Sequence, residues 1–369
     1  MKTELAIIGA GPAGLSAAIE AARNGVDVTV IDENALPGGQ LFKQIHRFFG
    51  SGDHLAGIRG FDIGNLLLEN AKKFGVRILL NNIAWGLFPD YSIGISNGEK
   101  VDFIETKKII IATGALENSL SFPGWTLPNI MSAGAIQTMI NIHRVLPGKE
   151  VVIIGSGNVG LIVAFQLLQA GAEVIAIIEA LPKVGGYQVH ASKIARLGVP
   201  IITSHTVAEA VGSNEVENIR ILKVNEDFSI IKGSDFNIKT DLVCIATGLR
   251  PMDELAWMLG IKFIYLVELG YFLPVHDENM QTTIEGIYVA GDLSGIEEAS
   301  CAMEEGKIAG LAASLSLKKV NKKNCVKLLD EAKERLKFLR LGPFGEYRQK
   351  AKEKIINNYY EYIGEKNDR

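Results

Sequence analysis

Short apolar runs, closed by small residues or by an acid, recur along this chain. Leu5-Ala6-Ile7-Ile8, Val28-Thr29-Val30-Ile31, Val76-Arg77-Ile78-Leu79-Leu80 and Ile109-Ile110-Ile111 come first. Val151-Val152-Ile153-Ile154, Val174-Ile175-Ala176-Ile177-Ile178 and Leu242-Val243-Cys244-Ile245 follow, and Ile287-Tyr288-Val289 comes last. Such runs, without polar alternation, predict parallel strands buried on both faces. Ile63, Leu66, Leu67, Ala71 and Phe74 lie near helical spacing and predict a helix over 62–74. Short alternating stretches to about 105, with Ser96-Asn97-Gly98 as a turn, predict a small antiparallel insert. A further helix is predicted from Glu297 to about Leu317. The fold class is therefore α/β.

Two of the predicted strands run into glycine turns of the same spacing. Gly9-x-Gly11-x-x-Gly14, with Pro12 and Ala13 inside it, follows the first run; Gly155-x-Gly157-x-x-Gly160 follows Ile154. Each opens a helical stretch and then a second strand ending on an acid, Asp32 (followed by Glu33) or Glu179. Glycines permit a tight turn and a close backbone approach to a pyrophosphate; the helix N-terminus faces the anion and the acid can take ribose hydroxyls. Glycines also mark ordinary strand–helix turns, so one copy is weak evidence. Two copies, each with its acid, argue for a protein that holds two nucleotides. The repeat continues into Ala112-Thr113-Gly114 and Ala246-Thr247-Gly248. Gly291-Asp292 then follows one more strand and precedes the helix from Glu297. Asp292 reads either as a helix cap or as a partner for a cofactor hydroxyl beside a helix N-terminus.

Composition narrows the classes. The 369 residues are 47% hydrophobic and 22% charged, a globular balance with room for two or three domains. A net charge of −4 gives no pointer to nucleic acid. The charge is uneven: from Lys318 onward there are 15 Lys+Arg and 8 Asp+Glu. This basic tail reads either as a docking surface or as helical faces folded back on an acidic body. Leu328, Leu329, Ala332, Leu336 and Leu339 predict one amphipathic helix there. Beyond Gly342-Pro343 a second is predicted from about Glu346 to Tyr362. Cys244, Cys301 and Cys325 form no C-x-x-C and no metal-ligand spacing, so no metal site is expected and a reducing cytoplasm is. Between Glu150 and Glu173 lie 22 uncharged residues, but Gly155, Ser156, Gly157, Asn158, Gly160, Gln166 and Gln169 interrupt them, which predicts strand–turn–helix and no membrane span. The N-terminal run leads straight into the glycine turn and does not read as a signal peptide.

Over about residues 1–317 this order of motifs resembles the two-dinucleotide-binding flavoproteins, the thioredoxin reductase and pyridine nucleotide–disulfide oxidoreductase group. The resemblance implies two Rossmann-like, ββα-inserted domains and a C-terminal helical tail. Its divisions are a first part of an FAD-binding domain at 1–118, an NAD-binding-like domain at 119–250, the second FAD part at 251–317 and the tail at 318–369. It implies that FAD is held by Gly9, Gly11, Pro12, Ala13, Gly14, Asp32 and Glu33. Gly39 and Gln40 of Pro37-Gly38-Gly39-Gln40-Leu41, Thr113, Gly114, Gly291 and Asp292 belong to the same implied set. NAD(H) is the possible second nucleotide, at Gly155, Gly157, Gly160, Glu179 and Gly248; Glu179 favours a free 2′-hydroxyl, and Lys183 is the nearest cation.

The redox cysteine pair of the disulfide reductases is missing here. Cys301 reads as a small buried residue. Phe122-Pro123-Gly124-Trp125-Thr126-Leu127-Pro128, Met131-Ser132-Ala133-Gly134-Ala135-Ile136-Gln137 and Gly185-Gly186-Tyr187-x-Val189-His190 are similar to a narrower group, comprising opine oxidase A, hydrogen cyanide synthase B, dye-linked proline dehydrogenase and sarcosine oxidase alpha subunits. That likeness implies an electron-transfer subunit of a heteromeric amine or amino-acid dehydrogenase. Its implied partners are a substrate-oxidising flavoprotein subunit and a small [2Fe–2S] ferredoxin-like subunit. A stand-alone NADH-dependent flavin oxidoreductase and a non-catalytic nucleotide-binding scaffold are the alternatives. Flavin chemistry asks little of side chains, so no acid–base catalyst is nominated; Lys43 and His46 are read as surface or supporting groups.

Overall fold

The computed structural model describes residues 1–48, 51–318, 321–342 and 345–367. Phe49-Gly50 and the Pro343 break lie outside these. The chain divides into two compact units, Met1–Leu116 with Arg250–Arg369, and Glu117–Leu249.

The first unit is built on a five-stranded sheet in the order Ile287–Val289, Lys108–Ile111, Leu5–Ile8, Val28–Ile31, Arg77–Leu79. All its pairings are parallel, with Leu5 opposite both Val28 and Lys108 and Ile287 opposite Ile109. The uninterrupted apolar runs have a direct cause. Leu5, Ile7, Val28, Val30 and Ile110 enter one core, while Ala6, Ile8, Ile31, Ile109 and Ile111 enter another on the opposite face. The second of these cores is closed by Leu87, Ile93, Ile95 and Ile104 from the antiparallel strands Ile83–Leu87, Ser92–Ser96 and Val101–Glu105. The helix predicted over 62–74 runs Gly60–Lys73.

On the other face, the helix after the first glycine turn, Pro12–Arg23, packs against the long helix Ala299–Ser316. Their approach is close enough to exclude side chains. A Cβ on Gly306 would lie 2.1 Å from the Ala13 carbonyl oxygen, and one on Gly310 would lie 2.4 Å from that of Ala17.

The tail folds onto its own unit. Its first helix, Lys322–Leu339, buries Cys325, Leu329, Ala332 and Leu336 in the core shared by the two packed helices. The last helix, Glu346–Asn367, sets Ala351 and Ile355 against Leu266, Leu269 and Leu273. The fold-back reading of the basic tail is the one observed. Its cations reach inward: Arg335 Nε donates to Glu304 Oε2 at 3.1 Å, beside Lys307 Nζ at 2.6 Å and His54 Nε2 at 3.1 Å from Glu304 Oε1. Burial alone would raise the Glu304 carboxyl; the hydrogen bond to His54 and the Lys307 and Arg335 charges overcome it and hold it near 2.

The second unit repeats the arrangement. Its parallel sheet runs Ile201–Ile202, Glu173–Ile178, Glu150–Ile154, Leu242–Ile245, Ile130–Ser132. The uncharged interval after Glu150 is the strand and the helix Asn158–Ala170. Among the described residues no helix is long and apolar enough to cross a membrane. The short strand Ile130–Ser132, not anticipated from the sequence, takes the place that Ile287–Val289 takes in the first unit. An antiparallel sheet of His205–Val211, Asn218–Lys223 and Phe236–Lys239 covers one face.

Truncation before Lys318 should abolish the soluble folded first unit, because losing Leu329, Leu336 and Ile355 removes about 1.5–3 kcal/mol each from a net stability of about 5–15 kcal/mol. Size-exclusion chromatography and thermal melting of the truncated chain measure it, and a cooperative melt at the parent temperature would refute it. Glu304 has its folded pKa depressed from 4.5 to about 2, so its contribution is complete above pH 4.5 and is lost as pH falls toward 2. Denaturant unfolding across that window should show a steeper loss in the parent than in Glu304→Gln.

Candidate functional site

The three glycines of the first turn have different reasons to be glycine. Gly9 has φ +104°, and a Cβ there would meet the Ala112 carbonyl oxygen at 2.2 Å; a Cβ on Gly14 would meet the Gly9 oxygen at 1.9 Å. These two serve internal packing. A Cβ on Gly11 would meet no protein atom within 4 Å. The fold itself does not demand glycine there, and the backbone of Gly11 lies open on that side. Gly11 caps the helix Pro12–Arg23 without a side-chain hydrogen bond, and Pro12 supplies its first residue. The N–H groups of Ala13 and Gly14 in that first turn are oriented for an anion.

Asp32 is buried at the end of its strand and braces the turn. Its Oδ2 accepts from Ala10 N at 2.6 Å and its Oδ1 from Asn34 N at 2.8 Å. Glu33 points to solvent. Gly38 N donates to Ala10 O at 2.7 Å. Gly39, at φ +56°, lies so near the turn that its Cβ would sit 3.0 Å from Gly11 Cα. Gln40 is exposed within the short 3-10 turn Gly39–Lys43, and His46 stacks on Phe48. The Thr113 hydroxyl donates to Met252 O at 2.7 Å, and Gly114 O accepts from Met252 N, so this pair latches a returning segment.

Gly291-Asp292 reaches the same place from the far edge of the sheet. A Cβ on Gly291, at φ +73°, would lie 2.9 Å from the Ala13 Cβ. Asp292 is not the cap of the long helix, which begins at Ala299 after Glu298; it lies in a 3-10 turn over Gly291–Ser294. Burial, then the Glu305 carboxylate, pushes its carboxyl up to about 7 against the Glu297 backbone N–H and Lys352. Gly9, Gly11, Ala13, Gly14, Asp32, Gly39, Gly291 and Asp292 are thus brought together, whereas Glu33 points away.

The second unit repeats this geometry. Cβ atoms on Gly155 and Gly160 would strike Ala246 O at 2.3 Å and Gly155 O at 2.2 Å, while one on Gly157 would meet nothing within 4 Å. Glu179 Oε2 accepts from Ser156 N at 2.9 Å and Ser156 Oγ at 2.6 Å. Thr247 Oγ1 donates to Asn118 O, and Gly248, at φ +100°, accepts at its carbonyl from Asn118 N. One equivalence went unread in the sequence. Gly186 N donates to Ser156 O at 2.9 Å, as Gly38 N does to Ala10 O, the donor lying one residue later in the second Gly-Gly pair. The signal was present: Gly38-Gly39 and Gly185-Gly186 each begin six residues after the acid.

The thiols of Cys244, Cys301 and Cys325 are all buried, and burial raises each one, that of Cys325 to about 11. Among the described residues no group of three or more His, Cys, Asp or Glu could hold a metal ion.

Residues 3–306 match the family described as pyridine nucleotide-disulphide oxidoreductase. The chain belongs to this family. It is an FAD-dependent oxidoreductase. Opine oxidase A of Agrobacterium tumefaciens (strain Ach5), one subunit of that enzyme, is 30% identical over 86% of this chain and 66% of its own length. Hydrogen cyanide synthase subunit HcnB of Pseudomonas aeruginosa is 28% identical over 84% and 70%. The sarcosine oxidase alpha subunit of a Corynebacterium is 26% identical over 85% of this chain but 32% of its own length. The chain therefore spans about two thirds or less of several relatives. Thioredoxin reductase of T. acidophilum shares the fold with a TM-score of 0.70 at 24% identity, covering 86% of this chain and 99% of that one. L-proline dehydrogenase of P. horikoshii does so with 0.66 at 23%, covering 90% and 59%.

The two kinds of glycine should respond differently to substitution. Gly14→Ala should destabilise the cofactor-free protein by more than about 3 kcal/mol through its clash with Gly9. Gly11→Val should cost the cofactor-free protein only about 1 kcal/mol, the scale of a poorer helix N-cap, yet purify without flavin absorbance. Full flavin content in soluble Gly11→Val would remove the turn from the site.

Proposed function

We propose that the first unit holds FAD at the Gly9–Gly14 turn, Asp32, Gly39 and Gly291-Asp292, and that the chain is an electron-transfer subunit of a heteromeric amine or amino-acid dehydrogenase. The observation that carries the cofactor reading is the open side of Gly11, facing a helix N-terminus and framed by Asp32 and Gly291. Bound there, FAD supplies a centre that accepts and releases electrons. The protein's part is to bind and orient. The N–H groups of Ala13 and Gly14 take the pyrophosphate. Asp32, already fixed by Ala10 N and Asn34 N, offers its remaining lone pairs to ribose hydroxyls. Asp292, with its carboxyl pushed to about 7, can hold or release a proton at neutral pH and so donate to or accept from a cofactor hydroxyl.

At the second turn we propose NAD(H). Glu179 stays at the rim of the glycine loop through Ser156, where its charge accepts from a 2′-hydroxyl and repels a 2′-phosphate. The subunit reading is supported by the names of the relatives, three of them subunits, and by three cysteines without a redox pair. Its proposed partners are a substrate-oxidising flavoprotein subunit and a small [2Fe–2S] ferredoxin-like subunit.

Calorimetric titration should show NADH binding at least about tenfold tighter than NADPH, about 1.4 kcal/mol. Tighter NADPH reverses the assignment, and binding of neither favours the scaffold reading. Purified alone, the chain should be yellow and fail to oxidise amines or amino acids with an artificial acceptor. Activity should appear when it is isolated with its partners from native extract. Turnover of an amino acid by the lone chain would defeat the subunit claim, and rapid reduction by NADH alone would favour a stand-alone reductase.

A further inference from the structure

Beneath the Gly291–Ser294 turn lies a buried set of charges that the proposed binding of FAD does not itself use. Glu305, from the second turn of the long helix, accepts at Oε2 from Gly291 N at 3.0 Å and from Ser294 Oγ at 2.6 Å. Its Oε1 accepts from Arg340 Nη2 and from Lys352 Nζ, both at 2.6 Å. Lys352 also donates to Ser294 O and Ser294 Oγ, each at 2.9 Å. Its three ammonium protons thus have three acceptors. Arg340 is in addition forked onto Glu297. The Lys352 and Glu305 side chains are each 2% exposed.

Lys352 belongs to the last helix, far in sequence from the turn it serves. A buried ion pair is a weak source of stability compared with apolar side chains of the same volume; what it supplies is orientation and a local field. Here the balance is even. Glu297 and Glu305 face Arg340 and Lys352, and Asp292 is the remaining carboxyl of the group. Removing the ammonium leaves the Glu297 and Glu305 carboxylates, and the fraction of Asp292 that is ionised, against one guanidinium in a site of low dielectric, where uncompensated charge acts strongly. It also frees Glu305 to rotate toward Arg340 and away from Gly291 N.

We infer that Lys352 is a positioning residue: through Glu305 and Ser294 it holds the Gly291-Asp292 turn in its binding geometry and balances the charge beneath it, so that the last helix sets how firmly the first unit holds FAD and at what potential. The inference rests on the proposed binding of FAD at this turn.

The test uses the full chain loaded with FAD, as parent, Lys352→Met, Lys352→Arg and the charge-balanced double variant Lys352→Met/Glu305→Gln. FAD dissociation is followed by flavin fluorescence and the midpoint potential by spectroelectrochemical titration. Lys352→Met should release FAD about tenfold more readily, the scale of losing hydrogen bonds to a charged group. Its potential should shift negative, since unbalanced carboxylates oppose added electrons. Lys352→Arg should recover part of the affinity. The double variant keeps an acceptor for Gly291 N and should return the potential toward that of the parent, but it still lacks the Lys352 bonds to Ser294 O and Oγ and should release FAD faster than the parent; that release rate carries the test should Lys352→Met fail to fold. Parent FAD release in both Met-containing variants, with only a lower melting temperature, would overturn the inference and leave Lys352 a structural brace. Absence of FAD binding in the parent would instead overturn the proposed function.

Discussion

The first unit depends on two backbones lying almost in contact. Gly306 and Gly310 of the long helix sit over the carbonyls of Ala13 and Ala17, leaving no room for a methyl group at either glycine. This approach fixes the long helix against the helix whose first turn forms the glycine loop. Glu305 precedes Gly306 and is aimed at Gly291; Glu304, next to it, is aimed at His54 and Arg335. A separation wider by one side chain would draw both carboxylates away from their partners and the Gly291 turn away from Ala13.

Within the glycine loops, similar residues divide the labour. The outer pair in each loop answers to the protein's own carbonyls, and the middle one answers to space. That division recurs in both units, down to the acid that braces the loop and the Gly-Gly segment that hydrogen-bonds it. The duplication includes how the loops are held as well as where they lie. The units differ at the last strand: Ile287–Val289 joins its sheet from downstream, and Ile130–Ser132 joins from upstream.

Much of this was legible in the sequence because it depends on local rules. Apolar runs mark strands buried on both faces, and glycines at fixed spacing mark the turns. The insert over 83–105 and both tail helices were readable for the same reason. Other features depend on tertiary contact. Ile130–Ser132 is three residues long and has no periodicity to detect. Arg340 and Lys352 look like ordinary solvated cations in a basic segment; only the fold shows them against Glu297 and Glu305. The small residues Gly306 and Gly310 in the long helix gave no hint of what they approach, since a glycine in a helix has the same appearance whether it faces water or a backbone. Asp292 could be either cap or ligand until the helix start at Ala299 separated it from the cap position.

The interleaved chain order has a consequence for synthesis. The unit Glu117–Leu249 is contiguous and can complete its sheet as soon as it has been made. The unit that flanks it in sequence cannot. Its strands Leu5–Ile8, Val28–Ile31 and Lys108–Ile111 are made early, yet they wait for Ile287–Val289 to finish the sheet and for Arg340 and Lys352 to neutralise Glu305. Until the helices Ala299–Ser316 and Lys322–Leu339 are made, the face of Leu5, Ile7 and Ile110 lacks its cover, a long-range closure of the kind that slows folding and exposes apolar surface. A chain made as far as about residue 250 therefore combines one unit made in full with another that still lacks its last strand and both covering helices.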